Sequence, residues 1–163
     1  MSPFRRWAPV LAWAIVISIF STHWFASEST SKVVEPIFHW LFPGASRQTL
    51  DLIHHIVRKC AHVFEYFIFS LLILRAIRGG RSGARLTWLL AAIVIVGAYA
   101  SLDEYHQSFV PGRTAKVSDA LLDTSAGILA QVLAALWIVR GDLRKQQAAA
   151  ETSEPNSKLR DSR

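Results

Sequence analysis

The chain has 163 residues, 52% hydrophobic and 18% charged, which is enough for one domain and too few for two large ones. Six Trp and nine Phe in so apolar a chain exclude general disorder, because that much buried surface offsets the entropy of ordering. The formal charge of +6 would suit a nucleic-acid ligand only if the cations shared one readable face. They instead cluster around apolar runs, so no nucleic acid is expected as a partner.

In chain order, the first element is the run Trp7–Phe25, which contains no Lys, Arg, Asp or Glu and approaches the ~20 residues needed to cross a hydrocarbon core. It follows Arg5 and Arg6, as a signal peptide would. Its length and its Trp residues at positions 7, 13 and 24 favour a retained span. The connection from about residue 26 to 52 carries the aromatic patch Ile37–Phe42 between Pro36 and Pro43. That patch is too short to span and is expected to lie in the headgroup region or fold over the mouth of a bundle. Further spans are expected at about 60–77, 86–102 and 121–139. Residues 1–145 then form a four-helix membrane domain, and 146–163 a disordered tail. The expected fold class is all-α, a polytopic membrane protein with a four-helix transmembrane bundle and a short extracytoplasmic interfacial segment.

Lys and Arg set the orientation. Twelve of the 18 lie before the first run, between the second and third, or after the fourth, and six lie in the other connections. Both termini are therefore expected in the cytoplasm, with anionic lipid headgroups meeting the cations. A lone Cys60 can form no internal disulfide and reads as a small packing residue.

The polar residues inside the spans carry the functional signal, because an intramembrane ionisable group is costly unless it is paired, hydrated or turned inward. Asp51, His55, Arg58 or Lys59, His62, Glu65 and Tyr66 recur at steps of three and four, which makes a stripe on one helix. Asp103 and Gln107 share a helical face, with Glu104 beside them, and Pro111-Gly112-Arg113 makes a turn. Ser118 or Asp119 is placed to cap the next helix. Asp119 and Asp123 lie one turn apart above Ala126 and Ala130, small residues that let helices approach closely. His23, His39, His54, His55 and His106 read as interfacial. Below the stripes the runs are apolar, which argues against a channel.

The ordered set Lys59-x-x-His62-x-x-Glu65-Tyr66, Asp103-Glu104-x-His106-Gln107-x-Phe109-x-Pro111-Gly112-Arg113 and Asp119-x-x-x-Asp123-Thr124-x-x-Gly127 resembles the VanZ-like family of small bacterial membrane proteins. The resemblance covers about 58–133. It implies a cell-envelope protein whose eponymous relative is linked to resistance to the glycopeptide teicoplanin. Asp123 stands where many relatives carry Asn, which adds a charge.

Two functional classes follow. In the first, a pocket at the extracytoplasmic face, lined by Lys59, His62, Glu65, Tyr66, Asp103, Glu104, Gln107, Arg113, Asp119 and Asp123, binds a cell-envelope or lipid-linked ligand. In the second, the same cluster is a metal-assisted hydrolase or transferase for a phosphate-bearing lipid. There, His62, Glu65, Asp103 and Glu104 are the candidate catalytic groups, and carboxylates would hold a divalent cation. A structural alternative pairs the charges with each other to fix helix register.

Overall fold

The computed structural model describes residues 2–22, 40, 44, 46–110 and 115–158, with side chains through residue 150. Four helices follow one another: α1 (Pro3–Phe20), α2 (Arg47–Arg78), α3 (Leu86–Gln107) and α4 (Val117–Lys158). No strand occurs among the described residues, and all four helices are long and apolar enough to cross a membrane. The fourth qualifies over Val117–Ala150. The aromatic segment 37–42, apart from an exposed Trp40, and Arg113 with its turn lie outside the described residues.

Local chemistry sets the helix ends. The Ser2 hydroxyl accepts from the Arg5 N–H, and Pro3 follows at the first helical position, where its missing N–H costs nothing. Ser46 caps α2 by accepting from the Thr49 N–H at 3.3 Å. The helix thus begins five residues before Leu52, where the sequence reading ends the long connection. Gly79 closes α2 in the left-handed region, φ +58°, a conformation that L side chains resist. The start of α4 also departs from expectation. Val117 opens the helix, so Ser118 and Asp119 lie inside the first turn rather than at the cap.

Length then separates membrane from margin. The 32 residues of α2 rise about 48 Å at 1.5 Å each, against a hydrocarbon core of about 30 Å. Its first turns, with Arg47, Asp51, His55, Arg58 and Lys59, therefore extend past the core. α4 continues through 146–158, which corrects the disordered tail over those residues. Gln146, Gln147 and Ala148–Ala150 are good helix formers that simply prolong the last span.

The core lies between α2, α3 and α4, with α1 against α2. Tyr66, Phe69, Ile73, Val96, Ala100, Ala126 and Ala130 are buried there with Val10 and Ile17 of α1. Outward-facing Phe64, Leu90, Val94, Leu121, Val132 and Trp137 remain exposed, the apolar surface that a lipid-immersed bundle presents. Cys60 is also exposed, so it is not the packing residue expected. Gly127 allows the closest approach. A Cβ there would stand 2.7 Å from Val96 Cγ1 and 3.6 Å from Ser70 Oγ, so α4 meets α3 and α2 almost backbone to side chain. Hydrogen bonds tie α1 to the bundle. Trp13 Nε1 donates to the Glu65 carbonyl at 2.9 Å, and the Tyr99 hydroxyl donates to the Ala14 carbonyl at 2.7 Å.

Candidate functional site

A cleft opens at the end of the bundle where α2 starts and α3 finishes. Arg58, Lys59 and His62 of α2, Glu104 and Gln107 of α3, and Asp119, Leu122 and Asp123 of α4 line it. The helical repeat explains this gathering. Lys59 and His62 are three residues apart, as are Glu104 and Gln107, and Asp119 and Asp123 are four apart, so each helix contributes one face. The innermost space is about 20 Å³, room for a water or a small charged terminus rather than a whole headgroup.

Charge is closely matched inside. Lys59 Nζ donates to Asp119 Oδ1 at 3.0 Å. His62 Nδ1 lies 3.4 Å from Asp123 Oδ2, in a pair whose side chains are 16% and 1% exposed. Glu104 Oε2 accepts the Lys116 backbone N–H at 2.9 Å and so fastens the start of α4 to α3. Gln107 Nε2 donates to Asp103 Oδ2 at 2.9 Å and reaches Ser21 Oγ at 3.4 Å. Arg58 forms no ion pair among the described residues. The second oxygen of Asp123 has no hydrogen-bond partner among them either, although it is buried.

Beneath the cleft lies an aromatic layer. The Tyr66 ring runs nearly parallel to His62, at 6.5 Å and 14°, and meets Phe69 edge-on at 6.3 Å and Tyr99 at 6.4 Å. One turn further in, Gln131 Nε2 donates to the Ser70 carbonyl and hydroxyl oxygens at 2.9 and 2.7 Å, while the Ser70 hydroxyl donates to the Gly127 carbonyl at 2.9 Å. The inner halves are therefore not purely apolar, as the sequence reading holds. Tyr66, Ser70 and Gln131 continue the polar line, and only then does apolar packing by Ile73, Leu74, Trp88 and Ile138 close it.

Of the sequence candidates, Lys59, His62, Glu104, Gln107, Asp119 and Asp123 meet at the cleft. Tyr66 forms its floor and Asp103 is buried beside it through Gln107. Glu65 is half-buried and does not line the cleft; it sits about 120° round the helix from Lys59, on the far side of His62. Arg113 is outside the described residues. Leu122, Ser21, Ser70 and Gln131 are additions that the sequence reading lacks. A Gln in a long apolar run is the one signal that marks Gln131 in advance. Among the described residues, no three His, Cys, Asp or Glu side chains gather closely enough to hold a metal ion.

The arrangement of four apolar helices with a polar, charge-paired end agrees with a wider similarity. The family model described as VanZ/LLP1 matches residues 6–138. The chain belongs to the VanZ-like family. No curated protein and no solved structure matches it. This VanZ-like chain is thus a multi-pass membrane protein, with all of the family's quoted residues inside the matched span. What its cleft can do follows from the groups it presents. A guanidinium without an ion pair among the described residues faces carboxylates already held by a lysine and a histidine, which suits an anionic terminus arriving from outside. The His62–Asp123 pair also has the base-and-orienter form of acid–base chemistry.

Proposed function

We propose that this VanZ-like protein sits in the bacterial inner membrane with both termini cytoplasmic. Its cleft receives, from the extracytoplasmic side, the charged terminus of a cell-envelope or lipid-linked ligand. The protein thereby alters susceptibility to glycopeptide antibiotics of the teicoplanin type. One observation carries the binding reading: Arg58 lines the cleft without an ion pair among the described residues, beside two cation–carboxylate pairs. A phosphate or carboxylate would complete the charge pattern at a site too narrow for more than its tip. Family membership and the basic residues of the connections support the envelope setting and the orientation.

The test uses the detergent-purified full chain and a short polyprenyl phosphate as probe. Wild type is expected to bind it, and Arg58→Gln to weaken binding about tenfold, the scale of one charge-assisted contact. Equal binding by the two would reject the reading. The hydrolase or transferase reading is favoured only by the His62–Asp123 geometry. It requires turnover of a phosphate-bearing lipid that His62→Ala and Asp103→Ala abolish. Binding without turnover in any version favours the accessory role.

A further inference from the structure

We propose that the turn between α2 and α3 holds the phosphodiester of an anionic phospholipid, gripped by Arg6, Arg81 and Arg85 over the indole of Trp88. This site lies about 24 Å along α2 from the cleft and is independent of the function proposed there.

The cations gather from two directions. The Arg6 side chain from α1 packs against Gly79, in the space a Cβ would fill. The left-handed glycine that ends α2 therefore also admits a guanidinium from another helix. Arg81 and Arg85 both stand over Trp88, each with its guanidinium carbon 4.9 Å from the ring centre. They lie within about 10 Å of each other, a range over which like charges still repel. None of these three arginines has an ion pair among the described residues, and the Nε atoms of Arg6 and Arg78 are buried without a hydrogen-bond partner. Arg81 is partly accounted for, because it donates to the Arg78 and Ile77 carbonyls that end α2. Among the described residues no such bond accounts for Arg6 or Arg85.

The start of α3 strengthens the case. Arg85 occupies its N-cap position, no side chain caps it, and no acidic residue lies in its first turn. A cation at the positive end of a helix is unfavourable unless an anion sits with it. A lipid phosphate fits better than a free one because of what adjoins the charges. Trp88 suits the interfacial layer, and Leu86 and Leu90, 68% and 51% exposed, lie one turn apart and give an acyl chain an apolar track beside the guanidiniums. The turn also falls between two membrane-spanning helices, where headgroups are the nearest anions.

Native mass spectrometry of the full chain in detergent, titrated with phosphatidylglycerol or phosphatidylcholine of matched acyl chains, tests this. Wild type is expected to retain phosphatidylglycerol preferentially. The double variant Arg6→Gln/Arg85→Gln is expected to lower its occupancy about tenfold, with phosphatidylcholine unchanged. Arg140→Gln/Arg144→Gln, which removes two charges from the same end, is expected to leave it unaltered. Inorganic phosphate in excess is expected not to displace the lipid. Unchanged occupancy in the Arg6/Arg85 variant, an equal loss in the Arg140/Arg144 variant, or displacement by inorganic phosphate would each overturn the proposal. If the double variant fails to fold, Arg85→Lys keeps the charge but loses the planar fork. Its occupancy is then expected to fall about threefold, and no fall overturns the proposal.

Discussion

Removing His62 and neutralising Asp123 are expected to have very unequal effects. Asp123 is 1% exposed, one oxygen lacks a partner among the described residues, and the other is 3.4 Å from His62 Nδ1. His62→Ala therefore leaves a buried carboxylate whose remaining compensation comes only from more distant groups. Breaking a buried pair in this way costs about 3–5 kcal/mol. Asp123→Asn keeps the shape and an acceptor oxygen near the ring while removing the charge, so it costs about 1 kcal/mol, the scale of one ordinary hydrogen bond. The double variant His62→Ala/Asp123→Asn no longer buries an uncompensated charge, and much of the His62→Ala penalty should disappear. Reversible unfolding in mixed micelles, followed by loss of helical circular dichroism, gives all four stabilities and hence the coupling. Equal costs for the two single variants, or a double variant no more stable than His62→Ala, would refute the view that His62 compensates a buried charge.

Other outcomes can be checked with the same unfolding assay or with labelling. Gly127→Ala is expected to cost about 1–3 kcal/mol through overpacking, less about 1 kcal/mol from better helix propensity. Val96→Ala in the same chain should lower that cost by removing the methyl 2.7 Å from the new Cβ. Lys59→Met/Asp119→Asn should change stability by under about 1 kcal/mol, since Lys59 is 38% exposed and exposed pairs contribute little. Gln131→Leu should be near neutral, within about 1 kcal/mol. It forfeits two hydrogen bonds to Ser70 but also removes a buried oxygen that has no partner among the described residues. In intact cells with Cys60→Ser as background, a membrane-impermeant thiol reagent should label Ser108→Cys and not Ser82→Cys. The reverse pattern would invert the orientation.

Much of the cleft was legible because helical spacing alone puts Lys59 and His62, or Asp119 and Asp123, on one face, and because charge inside an apolar run has few inexpensive placements. Spacing tolerates an error of one residue, however. It grouped Glu65 with Tyr66, although neighbours point about 100° apart and only Tyr66 lies under the cleft. The Ser70–Gln131 link was not legible, since neither residue signals a partner on another helix and the contact depends on how closely Gly127 lets α4 approach. Cap chemistry misled at α4. Ser118 and Asp119 are both good caps, but the Glu104 carboxylate takes the Lys116 N–H and Lys59 draws Asp119 into a tertiary pair.

The central claim is that the charged end of the bundle, and not its lipid-facing surface, meets the ligand. A photoreactive amino acid at Leu122, which lines the cleft, or at outward-facing Val94, tests this in detergent with the polyprenyl phosphate probe. Crosslinking at 122 that falls about tenfold with Arg58→Gln, with none above background at 94, is the expected result. Equal crosslinking at both positions, or crosslinking at 122 indifferent to Arg58, would contradict it.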